Sequence, residues 1–227
     1  MNRTSALLLP LFFLAIMPLR AQRINGYVAL GSVASQVEGD ELKGFNHWNL
    51  AGGVGAIARL DDDQRWFLSL ETDYSCRGIY NKKYNKLNYY NINLDLHYVD
   101  IPLVLHFRDP YGGMQIGVGI VYSRLIRQPH DTIYFNPNYF TPDTTDMKFL
   151  KNDLAPTVEF RFHIWNNLQF SARYQYSIIP IKKNWHYEFA GKTFANDFYG
   201  SSLTFRLLWQ FGESDSRPSK SLRGRRR

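Results

Sequence analysis

Between Ser202 and Phe211 the chain alternates with a period of two. Leu203, Phe205, Leu207, Trp209 and Phe211 stand against Ser202, Thr204, Arg206 and Gln210, and only Leu208 breaks the polar set. That period belongs to a β-strand with one apolar and one polar face. The apolar face is bulky and aromatic, and the polar face carries an arginine. A soluble protein core rejects a guanidinium in such a place, whereas the polar interior of a membrane barrel accepts one.

Several other segments read the same way, and eight strands are predicted between Ile24 and Phe211. They cover about Ile24–Val37, Trp48–Leu60, Arg65–Tyr80, Leu94–Phe107, Met114–Ile126, Leu154–Trp165, Leu168–Ser177 and Ser202–Phe211. The fourth changes phase: Leu94, Leu96 and Tyr98 are apolar at even positions, then Val99, Ile101, Leu103, Leu105 and Phe107 at odd ones. A β-bulge near Tyr98-Val99 would account for that switch. The second, fourth and sixth connections are short: Asp61–Gln64, Asp109–Gly113 and Asn166-Asn167. The others are long: Glu38–His47, Asn81–Asn93, Arg127–Asp153 and Ile179–Phe198. Strict alternation of long and short connections is the pattern of outer-membrane barrels, with long loops outside and short turns and both termini in the periplasm. The expected fold is therefore all-β, an eight-stranded antiparallel up-and-down transmembrane barrel. Trp66, Trp165, Trp209 and Phe211 would form a girdle at the periplasmic interface, with Tyr74, Tyr122 and Tyr176 toward the other rim. A soluble lipocalin-type barrel is the competing architecture, but it gives no reason for the loop lengths or the girdle.

The ends of the chain differ from its body. Residues 1–21 read as a secretory signal peptide: Arg3, an apolar run from Ala6 to Pro18, then Leu19-Arg20-Ala21. The competing reading is an uncleaved anchor helix. The barrel domain is assigned to residues 22–212, and residues 213–227 to a basic, disordered periplasmic tail. Of the formal net charge of +7, the tail accounts for +4 and Arg3 and Arg20 for +2, which leaves +1 for the barrel. The basic balance is thus a property of the ends and does not indicate nucleic acid. The only cysteine is Cys76, so no disulfide framework exists.

An eight-stranded barrel is narrow enough for side chains to fill it. The alternation assigns Glu71, Asp73, Asp100, Glu159, Arg161, Arg173 and Arg206 to a structural salt-bridge network in the lumen, with His163 on the same face. A proton or ion path through these groups is the alternative. No catalytic, metal or cofactor residues are assigned and the protein is read as a non-enzyme. His97 near Asp95 and Asp100 is the only suggestive catalytic group, and the histidines lack metal-ligand spacing. The Tyr- and Lys-rich loop Tyr80–Tyr90 could bind glycans or lipopolysaccharide phosphates, or simply keep the rim soluble. Expected partners are outer-membrane lipid and lipopolysaccharide, the outer-membrane assembly machinery during insertion, and a secretion or envelope protein.

Three strands carry a family resemblance. Leu70-Glu71-Thr72-Asp73-Tyr74-Ser75-Cys76-Arg77-Gly78 resembles the "PELxYSxKG" strand of the PorT-like outer-membrane β-barrel family of Bacteroidota-type bacteria. Tyr98-Val99-Asp100-Ile101-Pro102-Leu103-Val104-Leu105 is similar to its "YLEIPLLLKY" strand, and Gly117-Val118-Gly119 to its "xAGxG" strand. Thr72, Asp73, Cys76 and the basic tail depart from the pattern. The resemblance implies the barrel fold. The family's namesake takes part in a secretion system, which gives one alternative function; a lipid-modifying barrel enzyme is another.

Overall fold

The computed structural model describes residues 24–38, 44–80, 90–109, 113–128, 133–135, 140–142, 149–189 and 192–211. The signal-peptide and tail assignments and most of the Tyr80–Tyr90 loop lie outside them.

Eight antiparallel strands close into a barrel: β1 (Ile24–Glu38), β2 (His47–Arg59), β3 (Trp66–Tyr80), β4 (Tyr90–Arg108), β5 (Gln115–Arg127), β8 (Asn152–Trp165), β9 (Leu168–Tyr176) and β11 (Lys192–Gln210). Neighbours in sequence pair around the wall, and β1 against β11 closes it, from Tyr27↔Gln210 to Glu38↔Tyr199. Closure removes the exposed edges an open sheet would present. Three short strands lie inside connections that read as polar loops: β6 (Ile133–Phe135), β7 (Phe140–Pro142) and β10 (Lys182–Phe189). β6 pairs with the start of β4, while β10 pairs with the start of β11 and with β7. Two wall strands therefore run on beyond the barrel at the end of the long connections.

The short turns have local causes. The Asp61 carboxylate accepts hydrogen bonds from the Arg65 and Trp66 amides, both at 2.9 Å, and Gln64 takes a positive φ of 57°. Asn166 takes φ 42° in the two-residue turn closed by Trp165↔Leu168. Asparagine tolerates this left-handed region because its short side chain bonds locally.

The fourth strand keeps one phase throughout, contrary to the sequence expectation. Its even positions from Leu94 to Arg108 all face inward, and its ladder with β3 is regular through Tyr98 and Val99. What changes along the strand is the chemistry of the lumen: Leu94, Leu96 and Tyr98 belong to an apolar layer, Asp100 and His106 to polar ones. A bulge does lie beside this point, but in β5. His97 pairs with Arg127 and Tyr98 with Leu125, so Ile126 is the extra residue.

Candidate functional site

The lumen is built in layers. Toward the short turns, just inside a polar rim of Arg108, Gln115, Gln169 and Gln210, the residues Tyr27, Ala29, Ile57, Phe67 and Leu208 form an apolar floor. The Arg108 guanidinium lies 4.1 Å over the Phe67 ring. At the opposite end Val37, Leu94, Leu96, Tyr98, Phe149, Ile181 and Phe198 make an apolar lid.

Between them sits a cluster of three arginines and three carboxylates. Arg206 Nη1 donates to Glu71 Oε2 and Asp73 Oδ2, both at 2.7 Å, and its Nη2 to Glu159 Oε1 at 3.2 Å. Arg173 Nη2 reaches Glu71 Oε1 and Glu159 Oε2 at 2.7 Å each, and its Nη1 lies 3.1 Å from Asp73 Oδ2. Arg161 donates to Glu71 Oε1 at 2.6 Å and Glu159 Oε1 at 2.9 Å. The Tyr27 and Ser171 hydroxyls donate to Glu71 and Glu159 at 2.6 Å and 2.5 Å. The six charged residues are 0–6% exposed. Burying charge is tolerable when every ion is paired, as all six are here, although Asp73 Oδ1 and Arg206 Nε have no hydrogen-bond partner among the described residues. Register supplies one pair, Glu159↔Arg173. Glycine supplies room for the rest: a Cβ on Gly55 would lie 2.6 Å from the Tyr27 ring and 2.8 Å from Glu71 Cγ.

Asp100 stands apart from this cluster, in a second one nearer the lid. Arg77 Nη2 donates to Asp100 Oδ1, and its Nη1 lies 3.6 Å from Asp153 Oδ2. Ser75 donates to Asp100 at 2.7 Å and Ser177 to Asp153 at 2.8 Å. Arg77 also lies 4.5 Å over the Tyr98 ring. Sequence reasoning did not place Arg77 or Asp153 in the lumen. Continuing the odd-numbered face of β3 past Asp73 would have found Arg77; Asp153 was hidden in a segment read as loop. His163 is half-buried near the turn end, on the inward face of β8 opposite Gln169.

A third polar group fills a seam in the wall. β2–β3 pairing ends at Ala51↔Ser75, although both strands continue. Above that point Ser35 stands in for the missing strand: its Oγ accepts from the Gly78 amide at 2.8 Å and lies 3.2 Å from the Gly78 carbonyl. His47 Nδ1 lies 3.2 Å from Ser35 Oγ, and His47 Nε2 lies 2.6 Å from Asp95 Oδ1. Asn49 Nδ2 is 3.1 Å from Cys76 Sγ and 3.3 Å from Asp95. The histidine that meets Asp95 is thus His47. His97 lies on the outer face, 2.5 Å from the Tyr74 hydroxyl, and Asp100 is engaged by Arg77. Ser35, His47 and Asp95 have the composition of a hydrolytic triad, but Ser35 is 3% exposed and its oxygen is held by Gly78. Among the described residues no three His, Cys, Asp or Glu side chains are arranged to hold a metal ion.

The outer wall is apolar. Leu30, Leu50, Val54, Leu70, Leu103, Val118, Phe160 and Leu207 are exposed upon it. Trp66, Trp165, Trp209 and Phe211 are exposed near the short-turn end, Tyr74 and Tyr122 toward the long-connection end. Tyr176 is half-buried, stacked on Tyr199 and donating to Glu38 at 3.0 Å. Trp66 and Tyr74 are eight residues apart on β3, which with the usual strand rise and tilt is about 20 Å of barrel height.

A closed barrel, apolar outside and ionic within, defines a transmembrane β-barrel. The chain belongs to the family described as outer membrane protein beta-barrel domain, whose model matches residues 6–211. It is an outer-membrane protein. No curated protein sequence matches it. Among solved structures it is similar to the attachment invasion locus protein Ail of Yersinia pestis, at 13% identity and TM-score 0.45, over 83% of this chain and 99% of that one. Neisserial surface protein A matches at 10% identity and TM-score 0.43, over 82% and 97%. OprG of Pseudomonas aeruginosa matches at 14% identity and TM-score 0.37, over 83% and 94%.

Proposed function

We propose that this protein is a non-enzymatic outer-membrane barrel with a filled lumen, acting as a structural or interaction element of the envelope. The observation that carries the reading is the balanced cluster of Arg161, Arg173 and Arg206 with Glu71, Asp73 and Glu159, which ties opposite walls together across the centre. A barrel crossed by such a cluster offers its loops and outer wall to partners rather than its interior. In this reading residues 1–21 direct export, the long connections face outside, and the short turns and both termini are periplasmic. Its partners are outer-membrane lipid and lipopolysaccharide, the assembly machinery during insertion, and an envelope protein held by the long connections. A second role, as a component of a Bacteroidota-type secretion machinery, has only the likeness of β3 and β4 to the PorT-like pattern behind it, and those motifs mark the fold rather than the role. Against a lipid-modifying enzyme stands the burial of Ser35, the only serine joined to a histidine and a carboxylate among the described residues.

Two measurements test this. Mass spectrometry of lipid A and phospholipids, with and without the protein, should show the same species; a modified lipid that vanishes with the protein would overturn the non-enzymatic reading. Crosslinking and gentle solubilisation from outer membranes should recover the protein with an envelope partner, and co-purification with secretion-machinery subunits would decide for the second role.

A further inference from the structure

The β5 bulge has a consequence on the outside of the barrel. Without it, Arg124 would face out and Arg127 in, since side chains alternate along a strand. The extra residue Ile126 resets the phase, so Arg127 pairs with outward-facing His97 while Arg124 pairs with outward-facing Val99. Both arginines are exposed on the same outer face, two ladder steps apart. Bulges commonly re-aim a side chain in this way.

The surroundings hold the Arg124 guanidinium in place. Asn152 Oδ1 accepts from Arg124 Nη1 at 2.9 Å and from the Tyr122 hydroxyl at 3.0 Å. Arg127 pairs in register with His97, whose Nδ1 lies 2.5 Å from the Tyr74 hydroxyl. Among the described residues neither arginine has a carboxylate within ion-pair range, and the nearby Asp95 is engaged by His47. Directly below, toward the middle of the wall, the surface turns apolar: Ile101, Leu103, Val118 and Ile120 are exposed. Two cations at the edge of an apolar band, with no carboxylate partner among the described residues, call for an anion that carries a hydrocarbon tail.

We propose that Arg124 and Arg127, with Tyr74, Tyr122 and Asn152, form a binding site for the phosphate headgroup of a membrane lipid. Its acyl chains lie along Ile101, Leu103, Val118 and Ile120. The site rests on the membrane-barrel reading but not on any particular role for the lumen.

The test uses the full mature chain folded in detergent, with folding checked by a gel-mobility shift on boiling. Binding of diphosphorylated lipid A, its dephosphorylated form and phosphatidylglycerol is measured by titration and native mass spectrometry. The Arg124→Gln/Arg127→Gln double variant should bind diphosphorylated lipid A about thirtyfold more weakly, each single variant about fivefold. The dephosphorylated form should bind the unaltered protein as weakly as the double variant binds the phosphorylated one. Lys183→Gln, an exposed charge elsewhere at the mouth, should change nothing. Preference for lipid A or phosphatidylglycerol identifies which phosphorylated lipid the site takes. Equal affinity for phosphorylated and dephosphorylated lipid, or a folded double variant with unaltered binding, would overturn the proposal.

Discussion

Replacing Arg206 by leucine removes one guanidinium from a buried set of three and leaves three carboxylates behind. Glu71 keeps Arg161, Arg173 and Tyr27; Glu159 keeps Arg161, Arg173 and Ser171. Asp73 keeps only Arg173, at 3.1 Å. The loss therefore falls on Asp73, which is left under-paired at 6% exposure. Breaking one partner out of a buried ion pair costs about 3–5 kcal/mol, and the surviving Arg173 contact argues for about 3. With a urea dependence of about 2 kcal/mol per molar, the unfolding midpoint should fall by about 1.5 M. The assay is urea unfolding from lipid vesicles, followed by tryptophan fluorescence. Arg206→Lys should lie between, because one ammonium cannot span Glu71, Asp73 and Glu159 as the planar fork does. Adding Asp73→Asn to Arg206→Leu removes the excess carboxylate and should recover about 1–3 kcal/mol as coupling energy. An unchanged midpoint for Arg206→Leu, or strict additivity in the double variant, would refute the balanced-cluster reasoning.

Gly55→Val should destabilise the barrel by about 1–3 kcal/mol, since the new side chain meets the Tyr27 ring and Glu71; the same urea titration reads it. Ser35→Ala strips the Gly78 amide of its acceptor at the β2–β3 seam, at a cost of about 1–3 kcal/mol. Hydrogen exchange should accelerate at Gly78 while amides in the β8–β9 ladder stay protected, and uniform protection would count against the seam. Trp66, Trp165 and Trp209 should be quenched most by lipids carrying a quencher near the headgroup; strongest quenching from the acyl-chain end would remove them from the interface.

Much of the fold was legible in the sequence because barrel strands obey a period of two and their connections alternate in length. The same alternation puts Glu71, Asp73, Glu159, Arg161, Arg173 and Arg206 on the polar face, but a one-dimensional pattern cannot say which of them meet. The structure answers that by bringing β3 across the lumen to β8, β9 and β11, where Arg206 touches Glu71 and Asp73 at once. Three features escaped for identifiable reasons. Polarity stood in for direction in β4, so a change of lumen chemistry at Tyr98 looked like a change of phase. The β10 segment carries Trp185, Tyr187 and Phe189 in alternation, but its polar surroundings read as loop. The seam group needs Ser35, His47, Gly78 and Asp95 from four strands, and no local pattern joins them.

The claim that the centre is closed by ion pairs has a direct physical readout. Protein verified as folded by its boiling-dependent gel shift is reconstituted into a planar bilayer, and conductance is recorded in salt. A lumen crossed by Arg161, Arg173 and Arg206 with their carboxylates predicts no sustained open channel, and Arg206→Leu should raise the frequency of brief openings. A steady conductance from the unaltered protein would contradict the account.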